Sequence, residues 1–440
     1  MCVLGLWHLG TVTAAGLASL GLQVVGADPD NEVVQNLMSG VLPVAEPGLV
    51  ELTKTNVDEG RLAFTSDVVA AVASSEVIWI TFDTPVNDDD EADVEAVVRE
   101  TRSIFPALRD GAVVIVSSQM PVGSVRRLQE EFSVAVPDRH VEFLCIPENL
   151  RLGQAVDRFL HPDRLIVGVP SEAARVKVAV LLEPLFTEIV FMGVESAEVT
   201  KHAINAFLAT SVAFANEIAA VCALSGATPS EVELGLKTDE RIGSRAYLRA
   251  GEGFAGGTLA RDLNFLVRRA ADAERDLTLI QAVLDSNTNH LHWPIKLLDD
   301  LDSSGQFHFA NARIAVLGLT YKADTNTLRR STALGFCREL ILRGAEVVVF
   351  EPSQLSEGAL DGLRVERVPT ALAAIKGCAA TLVMSPEREI QAMSPADFDT
   401  TGTSTPLIID YGRFLSDEFS SHDGVRYVAS EFDLQEKRPL

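Results

Sequence analysis

The first thirty residues carry a spacing suited to holding a dinucleotide. The turn Gly5-Leu6-Trp7-His8-Leu9-Gly10 keeps the outer two glycines of a GxGxxG fingerprint. Gly5 supports a tight turn, and Gly10 lets helix and strand pack closely. Trp7 stands where a middle glycine would let the backbone approach a pyrophosphate, so its indole has to turn away or shift the phosphates. Asp28, eighteen residues past Gly10 at the end of the second strand, is placed to accept hydrogen bonds from an adenosine ribose and to repel a 2′-phosphate. This set favours NAD over NADP; the alternative is a relic turn that no longer binds.

A second polar set lies on a long predicted helix. Lys201 and Asn205 are four apart, and Asn216 falls within about 60° of Lys201 at about 100° per residue. Leu208 and Val212 share that face, so the polar groups form two patches rather than a stripe. Such a patch faces water, a partner or a site, and for Lys201 alone a solvated edge is the simpler reading. The acidic run "NDDDEAD" (87–93) has carboxylates enough for a metal, but clustered carboxylates in a loop are usually solvated, and no metal site is expected.

These residues need a scaffold, and the sequence supplies one twice. A strand at Cys2–Leu4, the glycine turn, a helix to about Leu20 and the strand "LQVVGADPD" make a β-turn-α-β unit. The same scheme returns in "RIAVLGLTYK", a helix through "STALGFCRELILRG" and "AEVVVFEPS". Further β-rich runs read "VIWITFD", "AVVIVSS", "VEFLCIP" and "RLIVGVP". Between the two lies helical sequence from Ala197 to about Leu301, nearly thirty residues of it proline-free before Gly226, which would span ~40 Å as one helix. The predicted fold class is α/β, with two doubly wound Rossmann-like domains joined by a central helical segment. Its expected boundaries are 1–196 for an N-terminal NAD-binding domain, 197–301 for a helical dimerisation domain and 302–440 for a C-terminal domain.

Composition fits this scheme. At 440 residues the chain exceeds one ordinary core, and 47% hydrophobic with 22% charged residues is a globular balance. A net charge of −25 argues against nucleic acid or an anionic membrane as partner. No apolar run approaches the ~18 residues of a membrane span, the N-terminus lacks a basic region, and a cytoplasmic location is expected. Five scattered cysteines (Cys2, Cys145, Cys222, Cys337, Cys378) lack CxxC spacing and read as small core residues.

Taken together, the stretches "PVAEPGL" (43–49), "DTPV" (83–86), "SSQMPVGS" (117–124), "PENLRLGQAV" (147–156), "HPDRLIVG" (161–168), "KHAINAF" (201–207), "RIGSRAYLRAGEGFAGGTLARD" (241–262) and "LGLTYKADTNTLRRS" (317–331) resemble the UDP-glucose/GDP-mannose dehydrogenase family. The resemblance implies an N-terminal NAD domain, a C-terminal nucleotide-sugar domain and a central helical segment that forms a homodimer. It implies Glu148 and Asp262 as acid-base or water-orienting carboxylates, with Lys201 and Asn205 on the reacting sugar and its developing oxyanion. Gly5, Trp7, Leu9, Gly10, Asp28, Thr84, Ser118 and Arg329 would meet the cofactor. Asn149, Leu150, Tyr247, Leu248, Phe254 and Lys322 would cradle the nucleotide sugar, and Arg241 would reach the neighbouring subunit's substrate. Removing hydride from a carbinol requires a proton acceptor and a cation near the oxygen that gains charge, which these groups can provide.

Departures from the family pattern bear on the chemistry. Thr258 stands where four-electron members carry a cysteine that attacks the intermediate aldehyde, and a threonine hydroxyl is a far weaker nucleophile without a dedicated base. Gln119 replaces a threonine associated with positioning water, Leu152 a glutamate and Asn149 an aromatic. The expected reaction is therefore a two-electron oxidation of a UDP-sugar or related nucleotide sugar to an aldehyde or keto sugar. Three alternatives stand beside it: full oxidation to the uronate through the aldehyde hydrate, a redox-neutral epimerase that retains its NAD, and a non-catalytic nucleotide-sugar binder.

Overall fold

The computed structural model describes residues 1–85, 92–148, 150–255, 257–320, 328, 331–353, 355, 360–401, 405–416 and 418–430. Asn149, Lys322, Arg329 and residues 87–91 of the acidic run lie outside them. The chain forms two compact units, Met1–Ile204 with Asn264–Arg275, and Asn205–Leu263 with Asp276–Leu440.

In the first unit eight described strands form one sheet: β1 (Cys2–Leu4), β2 (Val24–Ala27), β3 (Leu62–Thr65), β4 (Val77–Ile80), β5 (Val113–Val116), β6 (Glu142–Cys145), β7 (Leu165–Val169) and β8 (Ile189–Gly193). Their spatial order is β3-β2-β1-β4-β5-β6-β7-β8. Pairing is parallel except between β6 and β7. The strands are nearly continuous apolar runs because helices cover both faces. One face packs Ile78, Val114, Phe132 and Phe143; the other packs Val3, Leu17, Ile115 and Leu144.

The second unit carries β9 (Arg313–Leu317), β10 (Glu346–Phe350), β11 (Val365–Arg367), β12 (Ala380–Val383), β13 (Leu407–Asp410) and β14 (Arg426–Val428). Their order, β11-β10-β9-β12-β13-β14, repeats that of the first six strands of the other sheet. The repetition reaches individual hydrogen bonds. Gly5 has φ +94° and Gly318 φ +87°. The amide after the first donates to Asp28 (Leu6 N to Oδ2, 2.6 Å) and the amide after the second to Glu351 (Leu319 N to Oε2, 2.6 Å).

The helical segment foreseen from Ala197 begins earlier, as one helix over Val194–Ser225. Counting uninterrupted apolar runs underrates it, since its average hydropathy and length pass the test for a membrane span. Its polar groups instead find protein partners: Glu198, His202, Asn205 and Asn216 are all buried and hydrogen-bonded to other segments. That is the pattern of a helix packed within protein. All five cysteines are buried and unbridged.

The β1 turn is the tightest joint in the first unit. A Cβ on Gly10 would lie 1.8 Å from the Gly5 carbonyl oxygen and 2.7 Å from Thr81 Oγ1. Backbone cannot yield as a flexible side chain can, so overpacking of ~1–3 kcal/mol or more is expected. Gly10→Ala should lower the thermal midpoint followed by circular dichroism and abolish NAD binding measured by calorimetry.

Candidate active site

Loops at the carboxyl ends of five strands gather the first set of residues. In an open α/β sheet this edge, at the point where strand order reverses, is where ligands bind; here that point lies between β1 and β4. Gly5 follows β1 and Asp28 follows β2. Thr81 and Thr84 follow β4, Ser118 follows β5, and Glu148 follows β6.

The turn after β1 opens onto a helix, His8–Ser19, with Trp7 as its N-cap. Trp7 contributes backbone only: its carbonyl accepts from Thr11 N at 2.9 Å, and its indole is 46% exposed. The indole thus turns outward, one of the two outcomes expected for it, and Leu9 sits half-buried in the first helical turn. Asp28 accepts from Leu6 N through Oδ2 and from Asp30 N through Oδ1 at 2.9 Å. Its carboxylate is therefore fixed to the turn that would face a pyrophosphate. Thr84 Oγ1 donates to the Gln119 carbonyl at 2.6 Å, and Ser118 Oγ to the Phe82 carbonyl at 2.7 Å. Both hydroxyls are buried cross-links between the loops after β4 and β5.

Glu148 and Lys201 meet. Lys201 Nζ lies 3.7 Å from Glu148 Oε2, and the Leu150 amide donates to Glu148 Oε1. Both side chains are largely sheltered from solvent. They line a cavity of about 30 Å³ with Ser118, Gln119, Glu198 and His202, room for one water molecule.

Four residues beyond Lys201 on the same helix, Asn205 belongs to the second unit and donates through Nδ2 to Asp262 Oδ2 at 2.5 Å. Asp262 lies on the helix Gly257–Ala271 and is fully buried. Thr258, one helical turn before it, is exposed. Phe254 is buried, and Asn287 holds its backbone with a reciprocal amide pair: Phe254 N donates to Asn287 Oδ1 at 2.8 Å, and Asn287 Nδ2 to the Phe254 carbonyl at 2.9 Å. Asn216 holds the preceding residues in the same way, accepting from Gly251 N at 2.8 Å and donating to the Glu252 carbonyl at 3.3 Å. Leu248 is half-buried, Tyr247 is exposed, and Arg241 is 89% exposed, paired with Asp239 of its own segment at 2.7 Å. Among the described residues no cluster of His, Cys, Asp and Glu could hold a metal ion.

Three positioning groups escaped the reading of the sequence. Glu198 accepts from Gly123 N (2.7 Å) and Val125 N (3.1 Å), fixing the start of the helix Ser124–Ala135. Glu46 binds His8 and two loop amides. Asn287 holds Phe254. Glu198 precedes Lys201 by three residues, so its helical face was available as a signal. Glu46 was visible only as part of "PVAEPGL", and nothing local marks Asn287.

With this geometry, three domain descriptions of one family match the chain in succession. The NAD binding domain of the UDP-glucose/GDP-mannose dehydrogenase family matches residues 1–190, its central domain 195–289 and its UDP binding domain 315–417. UDP-glucose 6-dehydrogenase TuaD of Bacillus subtilis (strain 168) is 34% identical over 418 residues, covering 94% of this chain and 89% of that protein. UDP-glucose 6-dehydrogenase of Rhizobium meliloti (strain 1021) is 32% identical over 438 residues, covering 97% and 98%. Among solved structures, a UDP-glucose dehydrogenase from Pyrobaculum islandicum superposes with a TM-score of 0.87 at 26% identity, covering 98% of this chain and 97% of that one.

Burial holds the Glu198 carboxyl above its ordinary value of 4.5, although its two backbone hydrogen bonds pull the other way. The folded chain then binds that proton more tightly than the unfolded chain, so this group's contribution to stability falls as pH rises through the window above 4.5. Glu198→Gln should flatten that part of the stability profile, measured by denaturant unfolding across pH.

Proposed function

Because this chain belongs to the UDP-glucose/GDP-mannose dehydrogenase family and is an NAD-dependent oxidoreductase acting on the CH–OH group of a nucleotide sugar, we propose that it oxidises a UDP-sugar by two electrons. One hydride and one proton leave the carbinol, and an aldehyde or keto sugar is the product. This reading rests on the resemblance that puts Thr258 where the family's thioester-forming cysteine stands, and it is supported by the buried Asn205–Asp262 pair and the Lys201–Glu148 pair proposed for the first hydride transfer.

The bound nicotinamide supplies the hydride acceptor. Lys201 would place an ammonium beside the carbinol oxygen as it gains charge. Glu148, 3.7 Å from that ammonium, lies beyond ordinary hydrogen-bond length, so the amine's donors can turn to the substrate. Asn205 spends one amide N–H on Asp262 and has a second for a sugar oxygen. Asp262, held by that amide, would take the proton directly or through water. Gly5, Leu9, Gly10, Asp28, Thr84 and Ser118, with Arg329, would hold NAD, and Asp28 would exclude a 2′-phosphate. Leu150, Leu248, Phe254 and Tyr247, with Asn149 and Lys322, would hold the nucleotide sugar; the family's UDP binding domain over 315–417 supports uridine as its base.

One observation favours a second reading. The water-sized cavity beside Glu148 and Lys201 could hold the water that adds to the aldehyde, giving a hydrate from which a second hydride could leave without a thiol. Incubation with NAD and UDP-sugars, with products weighed by mass spectrometry, separates the two. One NADH per sugar and a carbonyl product are expected; two NADH and a carboxylate would establish the four-electron course, and turnover without net NADH the redox-neutral one.

We further propose a cytoplasmic homodimer. Phe207, Phe214, Val221 and Leu224 form an exposed apolar stripe with near-heptad spacing along the long helix, Phe207 being 72% exposed. A second copy laid along it would cover the stripe, and Arg241 is exposed for reaching a neighbour's substrate. Phe207→Glu combined with Phe214→Glu should yield a monomer by light scattering.

A further inference from the structure

The Glu46 side chain is fully shielded from solvent, yet no role in the chemistry falls to it. It accepts three hydrogen bonds from two distant parts of the first unit. His8 Nε2 lies 3.0 Å from its Oε2, Gly153 N 3.0 Å from Oε2, and Ala155 N 2.7 Å from Oε1. A carboxylate offers only acceptors, so His8 carries its proton on Nε2.

The two ends of this bridge differ in kind. His8 opens the helix His8–Ser19, at whose N-terminus a dinucleotide's pyrophosphate docks. Gly153 and Ala155 belong to the loop that follows Glu148 and leads into the helix Ala155–Leu160. In that loop Gln154 N donates to the Arg151 carbonyl at 2.9 Å, and the Leu150 amide holds Glu148, whose other oxygen faces Lys201. Contact between the two helices supports a close joint, since a Cβ on Gly16 would come within 2.3 Å of the Phe159 ring.

We propose that Glu46 is a positioning residue which ties the 150–155 loop to the dinucleotide turn through His8, so that filling the turn orders the segment that holds Glu148 beside Lys201. Fixing the first turn of the helix fixes His8; His8 fixes Glu46; and Glu46 fixes two loop amides. The inference rests on NAD binding alone and not on how many electrons the reaction transfers.

The amides of Gly153 and Ala155 report the link directly. Hydrogen exchange resolved to single residues is measured with and without NAD, at saturation fixed by calorimetry for each protein. In the wild type NAD should slow exchange at both amides. His8→Ala should bind NAD with that slowing lost, and His8→Gln, whose side chain again offers an N–H to Glu46, should regain it. Equal slowing in wild type and His8→Ala overturns the proposal, as does absence of slowing in the wild type. Should His8→Ala fail to take up NAD, Glu46→Gln, which leaves the turn's own residues intact, gives the same reading: slowing lost supports the link, slowing retained overturns it.

Discussion

Buried and half-buried carboxylates that accept hydrogen bonds from main-chain N–H groups are the constraint on which the rest of this structure depends. A loop at the end of a strand carries amides with no ladder partner, and leaving them buried and unpaired would cost ~1–3 kcal/mol each. Here acidic side chains meet that need repeatedly. Asp28 holds Leu6 and Asp30, Glu46 holds Gly153 and Ala155, Glu198 holds Gly123 and Val125, Glu351 holds Leu319, Thr320 and Ser353, and Asp410 holds Phe414 and Leu415. Burial pushes the Glu198 and Asp410 carboxyls upward while these same amides pull them back, so fixing a loop and perturbing an acid are one act. An excess of acidic residues therefore need not all be surface charge.

The legible part of the fold was the local part. Gly5, Gly10 and Asp28 lie within one β-turn-α-β unit, where glycine spacing and a strand-end acid have meaning without knowledge of the rest. The long helix was legible from its lack of breakers, and Lys201 with Asn205 from their spacing of four. Illegible were the groups whose partners lie far away in sequence. Glu46 meets an amide 107 residues on, and Glu198 one 75 residues back. Nothing in periodicity or propensity marks such a bond, because it is decided by how strands are ordered. Asn216 shows the intermediate case: spacing set it in a patch apart from Lys201 but gave no sign of its partners, Gly251 N and the Glu252 carbonyl, which make it a loop anchor.

Positions 7 and 258 sit in contrasting surroundings. At position 7 the chain has room, and an indole there points outward without disturbing the turn, whereas at position 10 even a methyl would strike the Gly5 carbonyl. A fingerprint can lose its middle glycine and keep its fold, but not its last. On the helix Gly257–Ala271, Thr258 is exposed and Asp262, one turn later, is fully buried against Asn205. An exposed side chain at 258 can change while the buried pair one turn later stays in place.

Electrostatics join these observations. Along one helix Lys201 and then Asn205 each face a carboxylate, but in different ways. Asn205 is neutral and bonded through one N–H at 2.5 Å, a contact that fixes the amide's orientation. Lys201 is charged and only loosely paired at 3.7 Å, a separation at which attraction survives while hydrogen bonding largely does not. Glu148 is itself tied down by the Leu150 amide and so cannot easily follow the ammonium. An alkoxide forming nearby would thus draw donors that Glu148 leaves unclaimed. A tighter Lys201–Glu148 pair would hold the cation away from the substrate proposed for this site, whereas the observed separation leaves the ammonium's donors available to it.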